Sequence, residues 1–390
     1  MPDSIIWEIS PHTLAKHLIL KRYIQAWAPI LAQGSKHKRL VYIDGFAGPG
    51  EYLGGEDGSP IVALKALKEH ILNDNFHTEF VNLFIENDDR RAENLKNIIH
   101  TKLGELPRWI KSDVINGEFN KEMKRIMDEL KNKSKDLAPC LCFVDPFGWE
   151  DLDYSVLSHF MKYEKSELLI TFMSGYVSRF VWNESHMDSI RKLFTDEQIQ
   201  EIKESSDRER IILRLFLENL LAEIKKTGIN AEIFHLAFAT YNMHNRMEYY
   251  LVYLSKSCKG FEAMKAAMFK ISEDGSYRFS DFNFDPAQAT LVDYGIDHEW
   301  IGKAAEELYD YLKVISNQKI SPEFAKLLNR DPDEPRKIPI SEAKTFITCR
   351  TVWKYNNSIL KNLEDSGKIT VHITKRKPGT YPDRGYLKVN

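Results

Sequence analysis

Short apolar runs alternate with longer segments of helical periodicity through the first two thirds of this chain. The apolar runs are residues 39–44, 81–88, 108–113, 140–146 and 167–173. Each run has the length and the β-branched and aromatic content of a strand, and each intervening segment has the length of a helix. Because a helix between two strands returns the chain in the same direction, the pattern predicts an α/β fold with a mostly parallel sheet.

Two further patterns complete this first region. Residues 185–228 are helical and highly charged, which predicts a solvated helical insertion. Residues 231–240 and 249–257 are strand-like and are joined by a short polar connection, which predicts an antiparallel hairpin at one edge of the sheet. We assign residues 1–285, including an N-terminal helix, to this large domain.

The remainder of the chain predicts a smaller domain. Periodicity breaks near residues 281–297, and residues 298–390 then contain several short helical patterns followed by a basic hairpin pattern. Short helices followed by a hairpin are typical of a winged helix-turn-helix domain, which binds DNA.

The stretch YIDGFAGPG, residues 42–50, follows the first strand and carries three glycines in the spacing G-x-x-G-x-G. A dinucleotide loop would need G-x-G-x-x-G, and Leu53 stands where its third glycine would fall. A P-loop would end in Gly-Lys-Ser/Thr, which is absent from this stretch. The stretch instead resembles the F-x-G-x-G loop of S-adenosylmethionine (SAM) dependent methyltransferases. The other interpretation is a glycine-rich turn that binds no ligand.

The resemblance implies a set of cofactor-binding residues. The loop would lie beside the methionine part of SAM, with Asp44 near its amino group. Glu86 ends the second strand, where an acid can accept both ribose hydroxyls, and Asp113 at the end of the third would contact the adenine amine. The full predicted set is Asp44, Gly45, Phe46, Ala47, Gly48, Gly50, Glu86 and Asp113.

The stretch FVDPFGW, residues 143–149, ends the fourth strand and resembles the D-P-P-Y/F/W motif of amino-methyltransferases. An exocyclic amine is a poor nucleophile because its lone pair is delocalised into the ring. Asp145 and the main-chain carbonyl of Pro146 could accept its hydrogens and orient that lone pair, while Phe147 or Trp149 stacks on the base. Phe147 replaces the second proline of the motif, and a strand-end turn with two core aromatics is the alternative interpretation.

Together these stretches, with PHTLAKHLILKRYIQAW near the start and KGFEAMKAAMFKISEDGSYRFS after the hairpin, resemble the three-Cys-motif partner (TcmP) family. The resemblance implies a Rossmann-like class I methyltransferase fold that binds SAM. It also implies association with a separate protein that carries the three-cysteine motif.

Charge and cysteine content change this picture little. A net charge of -3 argues against binding nucleic acid through bulk charge, so a nucleic-acid partner would need a local basic patch. The candidates lie in the terminal hairpin, which could equally be a solvated basic surface: Lys375, Arg376, Lys377 and Arg384. The cysteines lack metal-ligand spacing, so we predict no metal site, and the absence of a signal-like start favours a cytoplasmic protein.

The sequence therefore favours a SAM-binding methyltransferase that modifies an exocyclic amine of a nucleic-acid base. The first alternative is a non-catalytic or regulatory partner subunit that binds the three-Cys-motif protein or DNA. An NAD-dependent oxidoreductase is a third alternative, which the glycine spacing disfavours.

Overall fold

A computed structural model describes residues 5–32, 37–69, 78–272, 276–281, 299–316, 337–351, 355–373, 376–377 and 379–390. The described residues form two compact units, one of residues 5–271 and 277–281 and the other of the remaining residues. None of the helices in these described ranges is both long enough and apolar enough to cross a membrane.

The first unit contains an eight-stranded sheet in the order β3-β2-β1-β4-β5-β7-β6-β8. Its strands are β1 (Arg39–Asp44), β2 (Glu79–Glu86), β3 (Ile110–Asn116), β4 (Cys140–Val144), β5 (Ser166–Phe172), β6 (Phe234–Tyr241), β7 (Met247–Ser255) and β8 (Arg278–Ser280). Strands β1 to β5 pair in parallel, while β7 runs antiparallel to both β5 and β6. The predicted mostly parallel sheet with an antiparallel hairpin towards one edge is thus confirmed, with the short β8 added outside it.

Ten helices of the first unit lie within its described residues. They are α1 (Pro11–Ala32), α2 (Ser59–Lys68), α3 (Asp89–Leu103), α4 (Phe119–Asn132), α5 (Tyr154–Met161), α6 (Ser174–Phe180), α7 (Glu184–Ile190), α8 (Asp196–Glu204), α9 (Arg208–Lys226) and α10 (Cys258–Phe269). Helices α7 to α9 occupy the charged segment, and their apolar positions, such as Ile199 and Phe216, are buried. This segment therefore packs one face on the core.

Burial along the strands follows their place in the sheet. Every residue of β4 and β5 is buried, as expected for central parallel strands covered on both faces. The buried Cys140 and Cys142 belong to β4 and serve as small core residues. Strand β3 lies at the edge and alternates between exposed and partly buried positions.

The third strand runs further than its apolar content predicted. Its predicted end was Asp113, but pairing with β2 continues until Glu86 lies opposite Asn116. The sequence KSDVIN is rich in polar residues, as expected for an edge strand that exposes side chains. The prediction from apolar content therefore made the third strand too short. Asp113 consequently lies opposite Leu83, inside the strand.

The second unit contains helices α11 (Glu299–Ser316), α12 (Ile340–Arg350) and α13 (Asn357–Asp365). Its strands are β9 (Ile338–Pro339), β10 (Ile369–His372) and β11 (Tyr386–Val389), in the antiparallel order β10-β11-β9. The helical pattern of residues 321–329 lies outside the described residues.

Candidate functional site

The candidate site lies at the carboxyl ends of the parallel strands, where the order reverses between β1 and β4. A cavity of about 440 Å³ is lined by the glycine loop, by Asp145 to Phe147 and by residues of α1, β5 and β7. A smaller cavity of about 100 Å³ is lined by Glu86 and by the segment that follows β3. Both cavities have Phe46 and Phe147 in their walls, so the predicted regions are brought together at one edge of the sheet.

The glycine loop needs glycine at two positions for different reasons. Gly48 has φ of 64° and Gly50 has φ of 89°, backbone angles that side chains disfavour. A β carbon on Gly50 would approach Leu95 to 2.8 Å, whereas one on Gly48 would meet no atom within 4 Å. Since Gly48 lines the larger cavity, its open side leaves room for a ligand to approach the backbone.

Glu86 connects the loop to the end of β2. One carboxylate oxygen accepts a hydrogen bond from the Gly48 N–H at 2.8 Å, and the other accepts from the Asp88 N–H at 2.9 Å. Glu86 is only 4% exposed and lines the smaller cavity. Its carboxylate is therefore held by rigid backbone donors at the cavity wall.

Asp44 is not among the residues that line either cavity, so its predicted ligand contact stays a prediction. Its side chain is fully buried and accepts weak hydrogen bonds from the Phe46 N–H and the Tyr42 hydroxyl, both at 3.4 Å. Burial raises the pKa of Asp44 to about 7. Hydrogen bonds from Ser59, the Phe46 N–H and Tyr42 partly oppose this rise in pKa and tie Asp44 to the start of the glycine loop.

Asp113 also lies away from both cavities, since β3 continues to Asn116. The position predicted for Asp113 is taken by residues directly after β3, namely Gly117, Glu118 and Phe119. The Phe119 ring packs 5.3 Å from Phe46, measured between ring centroids. The sequence signal available for this segment was Gly117, a glycine that lies just before the start of a helix.

Asp145 follows β4 and lines the larger cavity, where it already has a cationic partner. The Lys16 Nζ of α1 donates to both carboxylate oxygens at 2.6 Å. The Lys16 side chain is 7% exposed, and its Nζ lies 5.1 Å from the centre of the Tyr249 ring. Sequence reasoning missed Lys16. The only sequence signal for it was its position among the apolar residues of a predicted helix.

One turn before Lys16, His12 lines the same cavity. Its Nδ1 lies 2.7 Å from Asp281 Oδ2, and its main-chain carbonyl accepts from the Tyr249 hydroxyl at 3.0 Å. These contacts fix the start of α1 against β7 and β8. Burial, and then the charge of Lys16, lower the pKa of the neighbouring His17 to about 4, so that imidazole is neutral at pH 7.

The two predicted stacking residues have opposite placements. Phe147 is 62% exposed and lines both cavities, with its ring 5.6 Å from Trp7 and 5.4 Å from the Arg91 guanidinium. Trp149 is 4% exposed, donates its indole N–H to Ser189 Oγ at 3.2 Å and lines neither cavity. The prediction for Trp149 is therefore wrong as a ligand-facing role, because Gly148 turns the chain and places this ring in the core. Pro146 lines the larger cavity, and its predicted role as a carbonyl acceptor stays a prediction.

The predicted nucleic-acid residues belong to the second unit. Lys375 lies outside the described residues. Arg376 forms an ion pair with Glu364 and lies over the Tyr381 ring, so its charge is already compensated. Lys377 and Arg384 are exposed. Within the described ranges, no group of three acidic, histidine or cysteine side chains is arranged to hold a metal ion.

Comparison with known proteins gave no match to a family model and none to a curated protein. Among solved structures, Trm1 from Pyrococcus horikoshii with SAM is 13% identical, with a TM-score of 0.39 over 100% of this chain and 92% of that one. The O-methyltransferase TomG from Streptomyces achromogenes in complex with SAM is 14% identical, with a TM-score of 0.33 over 66% and 84%. Similarities of this size say nothing about activity. The strand order, with β7 antiparallel between β5 and β6, defines a Rossmann-like fold of the class I methyltransferase type.

Proposed function

We propose that this chain is a SAM-dependent methyltransferase that modifies an exocyclic amine of a nucleic-acid base. The observation that carries this proposal is the convergence of the glycine loop, Glu86 and Asp145 on two cavities that share Phe46 and Phe147. All three elements lie at the carboxyl ends of parallel strands, where open α/β sheets bind their ligands.

The residues present fit SAM. Gly48 lies at the wall of the larger cavity, and no atom lies within 4 Å of the position that a β carbon would take there. A ligand can therefore approach the Gly48 backbone directly. Glu86 presents a carboxylate at the smaller cavity, suited to ribose hydroxyls, and the segment from Gly117 to Phe119 would hold the adenine. When bound, SAM supplies an electrophilic methyl group on a sulfonium.

The acceptor would be held by the residues after β4. Asp145 is an acceptor for an amine hydrogen, and the Pro146 carbonyl is a second one. The exposed Phe147 ring offers a stacking surface for a base. This division of roles places the base against Phe147 and its amine near Asp145.

Isothermal titration with SAM is the first test, and we expect saturable binding by the wild-type protein. Transfer of a labelled methyl group from SAM to total DNA and total RNA is the second. Asp145→Ala should abolish transfer while it leaves SAM affinity largely intact, because Asp145 belongs to the acceptor side. Unchanged transfer by this variant would remove Asp145 from the mechanism, and absence of SAM binding would remove the enzyme proposal altogether.

In the second unit, only a few residues near the hairpin favour a nucleic-acid substrate. Within its described residues this unit has, in order, a helix, a strand, two helices and a hairpin, which supports a winged helix-turn-helix, and Lys377 and Arg384 are exposed near the hairpin. These cations could bind phosphates and position the substrate. Loss of binding to labelled duplex in a Lys377→Ala, Arg384→Ala double variant would support this role, and unchanged binding would contradict it.

A second candidate function is a non-catalytic or regulatory partner subunit, in line with the resemblance to the three-Cys-motif partner family. The observation in its favour is that Lys16 already binds both oxygens of Asp145. Co-purification with a three-Cys-motif protein, together with no methylation of DNA or RNA, would favour this candidate over the enzyme.

A further inference from the structure

One buried group on the acceptor side is not used by the proposed function. The Thr171 side chain lines the larger cavity and is 1% exposed, yet its hydroxyl has no hydrogen-bond partner among the described residues. A buried hydroxyl without a partner is costly, so it points to a missing hydrogen-bond partner such as a ligand.

The sheet register places this hydroxyl beside Asp145. Val144, the last residue of β4, pairs with Ile170 of β5, so Asp145, directly after β4, is adjacent in register to Thr171, the next residue of β5. Side chains at equivalent positions of adjacent parallel strands point to the same face of the sheet. Asp145 and Thr171 therefore face the same part of the cavity.

Lys16 adds a second donor at the same place. An ammonium group has three N–H donors, and the contacts to the two Asp145 oxygens use two of them. Its position over the Tyr249 ring keeps Nζ at the cavity wall. The acceptor end thus combines one anionic hydrogen-bond acceptor with two donors.

We propose that Lys16 selects the base by donating to the ring nitrogen next to its amine, while Asp145 accepts from the amine and the Thr171 hydroxyl hydrogen-bonds to the same edge. This inference rests on the proposed function and narrows its substrate to a base edge on which the amine lies beside a ring nitrogen with a free lone pair, as in cytosine and adenine. Uracil and hypoxanthine present the reverse edge, a carbonyl beside a ring N–H. That edge would put a carbonyl oxygen against the Asp145 carboxylate and a ring N–H against the Lys16 ammonium, which has no acceptor atom, so only the Thr171 hydroxyl, which accepts as well as donates, could pair with this edge.

The test uses two matched pairs of probes, cytidine against uridine 5′-monophosphate and adenosine against inosine 5′-monophosphate. Affinities for the full-length protein are measured by titration followed by NMR. We expect the amine-bearing member of at least one pair to bind about tenfold tighter or more, the factor that one unpaired buried group produces. Lys16→Met should reduce this preference several-fold, whereas Thr171→Val should weaken both members of a pair and Thr171→Ser, which keeps the hydroxyl, should not.

Phe147→Ala is the matched control, since loss of stacking should weaken all four probes by a similar factor and leave the preference intact. Equal affinity within both pairs, no binding of any probe, or a preference unaffected by Lys16→Met would overturn the inference. SAM titration of the same samples distinguishes a failure of this inference from a failure of the proposed function. SAM binding without base preference removes this inference alone, whereas no SAM binding by the wild type removes the proposed function itself.

Discussion

Three adjacent strands of the sheet end in carboxylates that are stabilised in three different ways. Glu86 on β2 accepts from two backbone N–H groups, at 2.8 and 2.9 Å. Asp145 after β4 is bound by the Lys16 ammonium, at 2.6 Å to each oxygen. Asp44 on β1, between them, has only neutral donors, with the Phe46 N–H and the Tyr42 hydroxyl both at 3.4 Å.

The difference separates the two halves of the site. Backbone donors cannot move away, so Glu86 is fixed before any ligand arrives, as suits the proposed cofactor side. A lysine side chain can rotate, so the partner of Asp145 can be exchanged or shared, as suits the proposed acceptor side. Asp44 has neither kind of strong partner, so its burial disfavours the charged form of the carboxylate.

The largest expected effect concerns Asp44. Burial raises its pKa from 3.8 to about 7, so the folded protein holds a proton that the unfolded chain has lost between those values. The free energy of unfolding should therefore fall as pH rises through this window, by about 4 kcal/mol in all. Asp44→Asn should not show this loss, so its stability relative to wild type should increase from about pH 4 to about pH 8 in urea unfolding. A constant difference across that range would contradict the assignment.

Glu86 should give the next largest effect, on cofactor affinity. Glu86→Gln replaces one oxygen by an amide that cannot accept from the backbone N–H groups, and it removes the charge. We expect SAM affinity to fall about a hundredfold by titration. Glu79→Gln at the opposite end of β2 is the control, because its side chain pairs with Arg39 away from the cavities. Equal losses in both variants would indicate a general effect on the strand.

The Lys16–Asp145 pair should affect stability less. Asp145→Asn leaves a mostly buried ammonium without its counter-ion, which we expect to lower the free energy of unfolding by about 2 kcal/mol, since Asp145 is partly exposed. The double variant Lys16→Met, Asp145→Asn should recover much of that loss in a double-mutant cycle. Additive losses would show that the two side chains are energetically independent.

The smallest effect comes from the loop. Gly48→Ala and Gly104→Ala both place a methyl group at positive φ, 64° and 60°, with no atom within 4 Å. Gly48→Ala should lower stability by about 1 kcal/mol, and Gly104→Ala, at ψ of -144° where essentially only glycine is found, by about 1 to 3 kcal/mol. Only Gly48 lines the cavity, so only Gly48→Ala should also reduce SAM affinity, by about tenfold. Parallel losses of affinity in both variants would place the cofactor elsewhere.

The sequence by itself determined the local features of this protein. Apolar runs and their spacing predicted the parallel sheet, because strands buried on both faces must be apolar along their length. The glycine loop, Glu86 and Asp145 were identified because each directly follows or ends such a run, and parallel strands end at the same edge.

Tertiary structure decided the features that depend on neighbouring elements. Pairing with β2 extended β3 past Asp113, and a turn at Gly148 directed Trp149 into the core. Lys16 approaches Asp145 from a helix 129 positions earlier in the chain, and Thr171 gains its place beside Asp145 only through the β4–β5 register. No local pattern encodes such contacts, because side-chain direction and strand register are fixed by packing between distant segments.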